Sequence, residues 1–265
     1  MKKFIALFIL GLGCAVGGLT TTAHANEATI RLDRAPDVSG DATRLQHGAK
    51  LFINHCLNCH GASAMRYNRL MELGLTEQQI KDNLLFTGDK VGDLMTTALT
   101  RVDGKKFFGA VPPDLSVIAR AKASDAGSGA DWLYTYLRTF YRDPTRDTGW
   151  NNVLFPNVGM PHVLYEYQGA QNAVFVDKPD PHGEKDEKGN VKTVRTFDRF
   201  EQASLGSMSK TEYNEAMANL VGYLKWMGEP AQTQRKQLGL FVLIFLGILT
   251  ACAFWLNSTF WRDIH

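Results

Sequence analysis

The sequence predicts a mainly α-helical domain followed by one C-terminal transmembrane helix. Three observations predict it. Apolar residues recur at helical spacing before residue 56 and again between 213 and 227. A long uncharged apolar run closes the chain, and a shorter one opens it. Between them lies an ordinary polar–apolar mixture, in a chain of 265 residues that is 45% hydrophobic and 21% charged. That balance excludes a disordered tail and a fibrous repeat. A formal net charge of +2 excludes a strongly basic nucleic-acid binder. Four cysteines are too few to staple a chain of this length as a disulfide scaffold.

The N-terminal run reads as a signal peptide over residues 1–25. Lys2 and Lys3 precede a short apolar core from Phe4 to Leu12, and Ala23-His24-Ala25 fits a small-residue cleavage site. The expected organisation is an exported domain over 26–234, a membrane anchor over 235–261 and a tail over 262–265.

The exported domain opens with a helix. Leu45, Ala49, Phe52 and Ile53 fall on one face, and Asp41 is placed to cap the N-terminus. Cys14 leaves with the signal peptide and Cys252 lies in the anchor, so Cys56 and Cys59 remain in this domain. With His60 they spell C-L-N-C-H. Two thiols three positions apart can each join one vinyl group of haem as a thioether, and the adjacent imidazole can meet the iron. The pattern is that of c-type haem attachment. A structural zinc site needs a second Cys or His pair, which is missing. A redox dithiol needs no histidine beside it.

An iron held on one side by His60 needs a sixth ligand or an open site. Seven methionines lie in the exported domain. Met217 and Met227 belong to the apolar stripe of the last helix and read as core, and Met65 follows His60 too closely to reach the opposite face. Met160 sits in Phe155-Pro156-Asn157-Val158-Gly159-Met160-Pro161, a loop able to carry a thioether to the far side. Residues 131–141 place Trp132, Leu133, Tyr136, Leu137, Phe140 and Tyr141 on one helical face, read as core. Residues 168–200 are polar, with turn signals at Gly183 and Gly189-Asn190, and read as an inserted hairpin. The acidic cluster Asp180, Glu184, Asp186 and Glu187 reads as a solvated loop. Ser209-Lys210-Thr211-Glu212 is a capping box for the final helix of the domain.

Leu238 to Leu256 is almost wholly apolar. At about 1.5 Å per residue it nearly crosses a hydrocarbon layer of roughly 30 Å. Trp255 and Trp261 suit one interface. Arg235 and Lys236 on the exported flank oppose the positive-inside rule, but translocation of a long preceding domain overrides flank charge. The expected topology is a single pass with a cytoplasmic C-terminus.

In order along the chain, Cys56 to His60, Met65-Arg66-Tyr67-Asn68-Arg69-Leu70, Gly109-Ala110-Val111-Pro112-Pro113-Asp114-Leu115-Ser116, Gly159-Met160-Pro161 and Tyr223 to Pro230 precede the single anchor. In these blocks and their order the chain resembles the cytochrome c1 family. The resemblance implies a class I cytochrome c-like haem domain with insertions and one covalently attached haem c. It implies Cys56, Cys59 and His60 as attachment residues, and His60 and Met160 as iron ligands. It implies that Pro112 and Pro113 wall the haem face near His60, with a proline carbonyl accepting the ring N–H. Arg120 and Lys122 match a basic pair that meets a haem propionate. The family often has Arg at the second position, and Lys keeps the charge without the two-pronged geometry. Trp132 stands where the family has a tyrosine.

The implied activity is electron transfer within a respiratory ubiquinol–cytochrome c reductase. One electron would arrive from the Rieske iron–sulfur protein and leave to cytochrome c, while quinol oxidation belongs to cytochrome b. The implied setting is a dimeric complex in the bacterial inner membrane, embedded in the lipid bilayer, with the haem domain in the periplasm. The alternative is a stand-alone membrane-anchored c-type cytochrome feeding a terminal oxidase, and an exported domain of this length exceeds what a simple carrier needs. An open-site haem enzyme such as a peroxidase is disfavoured if Met160 binds iron.

Overall fold

The computed structural model describes residues 30–179, 183, 191 and 193–262. The expected signal peptide, the acidic cluster at 180–187 and the tail beyond Arg262 lie outside the described residues.

Helix α1 (Ala42–His55) begins where Asp41 accepts the Arg44 amide, as a capping aspartate does. Its apolar face, Leu45, Ala49, Phe52 and Ile53, is buried. It packs on α7 (Lys210–Gly228), whose capping box is formed by Ser209 and Glu212. The two helices cross very closely. A Cβ at Gly48 would stand 2.1 Å from the Asn219 carbonyl oxygen, and one at Gly222 would stand 3.5 Å from Leu45 Cδ2 and 2.1 Å from Val38 Cγ2, just ahead of α1. The Arg44 guanidinium donates to Asn219 Oδ1 (2.8 Å) beside this crossing, and the Phe52 and Tyr223 rings meet at 5.6 Å. Met217, Leu220, Val221 and Tyr223 are fully buried here, so one early and one late helix share a core.

Between them the chain lays down short pieces. Strand β1 (Ala62–Arg66) pairs antiparallel with β2 (Leu94–Met95), around a 3-10 helix (Tyr67–Leu73) and α2 (Glu77–Asn83). Helix α3 (Arg101–Phe108) is capped by Thr100 and ends at Gly109, whose φ of 73° suits a residue without a Cβ. The short α4 (Ile118–Ala121) and α5 (Gly129–Arg138) follow. They pack so tightly that a Cβ at Gly129 would stand 2.0 Å from the Ala119 carbonyl oxygen.

Helix α5 ends earlier than the apolar periodicity predicts. Phe140 and Tyr141 belong to β3 (Phe140–Arg142), which pairs antiparallel with β4 (Trp150–Asn152). The Tyr136 carbonyl, which a continuing helix would offer to the Phe140 amide, instead accepts from Asn152 Nδ2 (2.8 Å). After α6 (Tyr165–Gln168), strands β5 (Gly169–Pro179) and β6 (Thr193–Leu205) form the expected hairpin, longer than the polar composition suggests. Gln171 Nε2 ties it to the Phe140 carbonyl (2.7 Å).

Helix α8 (Gln232–Trp261) stands apart. Its apolar window over Gln234–Trp261 buries nothing within the chain, and Phe241 is 69% and Phe254 74% exposed. A run of 28 such residues is long enough to cross a bilayer. Three residues join it to α7, and Glu229 secures the joint. This carboxylate accepts from Arg235 Nε (2.6 Å) and Gln232 Nε2 (3.1 Å), and lies 3.7 Å from Arg120 Nη1.

Candidate haem-binding site

The C-L-N-C-H stretch continues α1 as one further turn. The Cys59 and His60 amides both donate to the Cys56 carbonyl, at 3.1 and 2.8 Å. This turn holds both thiols and the imidazole on one short piece of backbone. Cys56 is buried, Cys59 half-buried, and both are free thiols. Burial pushes the Cys56 thiol up to about 12, with Cys59 adding to the effect, and burial raises the Cys59 thiol too. A dithiol used for disulfide exchange has a lowered pKa. Both shifts here run the other way.

His60 is oriented from across the chain. Its Nδ1 lies 2.7 Å from the Pro113 carbonyl oxygen. A carbonyl only accepts, so Nδ1 carries the proton and Nε2 keeps its lone pair. Burial lowers the His60 pKa, against the opposing pull of the Pro113 carbonyl and the Asp114 carboxylate. A neutral imidazole with one nitrogen anchored to the backbone is the form that binds a metal. Asp114 holds the strap in place by accepting from the Ser63 amide (2.7 Å) and the Ser116 amide (2.9 Å). The Leu115 amide donates to the Gly61 carbonyl (2.7 Å), so the strap, residues 112–116, is tied to the chain just after His60.

Helix α3 links this strap to the Met160 loop. A Cβ at Gly104 would stand 2.8 Å from Pro112 Cδ, and one at Gly159 would stand 2.5 Å from the Phe108 carbonyl oxygen. The arm bearing His60's acceptor and the arm bearing Met160 therefore rest on the same short helix. Asn157, with φ of 62°, and the Asn151 side chain, which accepts its amide at 2.8 Å, shape the loop. Met160 is half-buried. Its Sδ accepts from the Tyr136 hydroxyl at 3.5 Å.

The other expected residues divide into two groups. Trp132 stacks on Tyr136 (4.9 Å between centroids, 14° between planes), and Lys122 Nζ lies 4.3 Å above the Trp132 ring. Phe155, from the Met160 loop, meets the Trp132 ring edge at 6.4 Å. Lys122, Trp132, Tyr136 and Met160 thus form one chain of contacts. Arg120 is not part of it. Its side chain is 65% exposed and faces Glu229. Among the remaining methionines, Met65, Met95, Met217 and Met227 are buried in the core, and Met95 Sδ accepts from Tyr223 at 3.7 Å.

Two residues here escape the sequence reading. Tyr136 reads as core by its position four after Trp132, and nothing in the sequence links it to a loop 24 residues away. His162 is 3% exposed, stacked on Phe140 at 5.0 Å and edge-on to Trp150 at 5.1 Å. Burial, helped by the Arg142 charge and opposed by Gln168, drives its pKa down to about 4. A neutral aromatic wall behind the Met160 loop is its evident role.

The donor set suits a covalently held haem. Two thiols flank a turn that ends in a backbone-oriented imidazole, and a thioether sits on a loop seated against α3, on which the segment bearing the His60 acceptor also rests. Imidazole and thioether are the ligand pair of electron-transfer c-type haems.

The comparisons with known proteins agree. The model of the Cytochrome C1 family matches residues 37–264. The chain is 42% identical over 265 residues to a cytochrome c1 of Allochromatium vinosum, covering all of this chain and 99% of that one. It is 43% identical over 243 residues to a Nitrosomonas europaea protein named ammonia monooxygenase gamma subunit, covering 92% and 93%. It is 28% identical over 287 residues to a cytochrome c1 of Rhodospirillum rubrum, covering 98% and 97%. With a family model matching residues 37–264 and a full-length relative at 42% identity, the chain belongs to the cytochrome c1 family.

Proposed function

We propose that this chain is the haem-bearing electron-transfer subunit of a ubiquinol–cytochrome c reductase, working beside cytochrome b and the Rieske iron–sulfur protein. One observation carries the reading. The His60 imidazole directly follows two thiols and is locked by the Pro113 carbonyl at 2.7 Å. That bond fixes the orientation in which the ring would meet an iron. A haem c supplies a one-electron iron couple. Cys56 and Cys59 would hold it by thioethers, and His60 and Met160 would bind its iron. The protein's own part is to anchor, to orient both ligands and to keep a soft sulfur donor in place, which favours the reduced state.

The finer assignments belong to the same proposal. Residues 26–234 form a class I c-type haem domain with the β5–β6 hairpin as an insertion. That domain stands in the periplasm, α8 crosses the inner membrane and residues 262–265 face the cytoplasm. The complex is dimeric, and the electron leaves to a c-type cytochrome. Oxidoreductase activity belongs to the complex, since quinol oxidation takes place on cytochrome b. The alternative of an independent carrier is not favoured by full-length similarity to cytochrome c1 proteins.

The test is purification of the membrane protein in mild detergent. Denatured wild-type protein should keep haem stain on a reducing gel, because thiols do not cleave thioethers. Cys56→Ala or Cys59→Ala should weaken or abolish that stain, and cytochrome b should co-purify. Met160→Leu should keep covalent haem but lose the weak sulfur-to-iron absorption band of the oxidised state. A wild-type band without haem stain would sink the reading.

A further inference from the structure

Tyr136 is buried to 9% exposure on α5, and its hydroxyl has no partner among the described residues other than Met160 Sδ, at 3.5 Å. A phenol taken out of water needs an acceptor, and a thioether is a weak one. The ring is fixed on both sides, stacked on Trp132 and edge-on to Phe140 at 5.0 Å. Its backbone is pinned as well, because the Tyr136 carbonyl accepts from Asn152 Nδ2. The hydroxyl is therefore a fixed donor aimed at a sulfur carried on an irregular loop.

We propose that Tyr136 is a positioning residue for the sixth ligand, and that its hydrogen bond to Met160 Sδ raises the reduction potential of the site. The proposal rests on the reading that Met160 is that ligand. A thioether sulfur has two lone pairs. A proton donated to one fixes the rotation of the methionine end and leaves the other for the metal. The same proton draws electron density from the sulfur. Ferric iron depends on that density more than ferrous iron does, so the hydroxyl favours the reduced form. Partners of metal ligands tune a site in this way, as the axial ligand itself does. Trp132 and Lys122 enter as supports. Lys122 lies over the Trp132 ring, and Trp132 lies flat on Tyr136, so the two brace the donor.

The experiment is a double-mutant cycle on the membrane-purified protein carrying haem, read by spectrum and by redox titration. Tyr136→Phe removes only the oxygen. At a fixed ambient potential its reduced-to-oxidised ratio should fall by about 2- to 10-fold, the worth of one neutral hydrogen bond. The sulfur-to-iron band of the oxidised state should persist with a shifted maximum. In a Met160→Leu background the same substitution should leave the ratio unchanged, because no sulfur is present to receive the proton. Tyr136→Leu, which also lacks the hydroxyl, serves as a second variant with the same expectations should Tyr136→Phe accumulate poorly. Equal shifts in both backgrounds would make Tyr136 mere packing and overturn the proposal. If Tyr136→Phe matches wild type while Met160→Leu loses its band, the proposal fails and the ligand reading stands. A Met160→Leu protein with the wild-type spectrum removes both.

Discussion

Gly159 has no room for a side chain. A Cβ there would stand 2.5 Å from the Phe108 carbonyl, a backbone atom that cannot swing aside. Gly159→Ala should therefore lift the Met160 loop off α3 while leaving Cys56, Cys59 and His60 alone. The expected outcome is full haem stain with a weakened sulfur-to-iron band, and a loss of roughly 1–3 kcal/mol in stability by thermal unfolding. Residues of this kind mark the limit of sequence reading. Cys56, Cys59 and His60 are legible because their chemistry is local, three side chains within five positions. Met160 enters the candidate site on its loop and on the family order alone. Tyr136 and Gly159 act through contacts made by folding, Tyr136 with Met160 and Gly159 with Phe108. Arg120 and Lys122 stand two apart in sequence yet face Glu229 and Trp132 respectively, because α4 ends between them at Ala121.

Helices α1 and α7 were predictable from their stripes and caps, but the closeness of their crossing was not. It depends on Gly48 against the Asn219 backbone, and a lone glycine in a helix otherwise reads as a weakness. Gly48→Ala would improve intrinsic propensity, yet it should destabilise the domain by roughly 1–3 kcal/mol, measured by denaturant unfolding, because the helices must separate. The end of α5 was missed because apolar periodicity carries no information about Asn152, which takes the carbonyl that the next turn needs. The segment before α1 adds a pH-dependent contact to α5 through Ala35. Asp131 accepts from the Ala35 amide (2.7 Å) and from Ser128 Oγ (2.7 Å). Burial opposes its ionisation, but the hydrogen bonds from Ser128 and Ala35 outweigh it and hold the carboxyl below its usual value. A depressed carboxyl stabilises the fold above its unfolded pKa of about 4, and that contribution disappears as pH falls through the folded value. Asp131→Asn should therefore cost about 1 kcal/mol at neutral pH and give a shallower loss of stability below about pH 4, followed by acid titration of the circular dichroism signal.

At the scale of the molecule, the core between α1 and α7 closes without help from α8, whose apolar window is not buried in the chain. A chain ending at Gln234 should be water-soluble and still carry haem, checked by the absorbance of the soluble fraction. Loss of haem on that truncation would place the domain boundary later than the packing does. The two-part plan was visible in the distribution of apolar residues, since a run without charge announces a bilayer by composition alone. The β1–β2 and β3–β4 pairs were not, because strands of two to five residues carry too little period to read.

Glu229 deserves a mechanical reading. With Arg235 and Gln232 from α8 and Arg120 from α4 gathered around one carboxylate, the anchor and the head share a clamped joint where a bare linker would swivel. A helix answers a change in bilayer thickness by tilting. With the joint clamped, a tilt of α8 in a bilayer would turn the head with it, as a rudder post turns its blade.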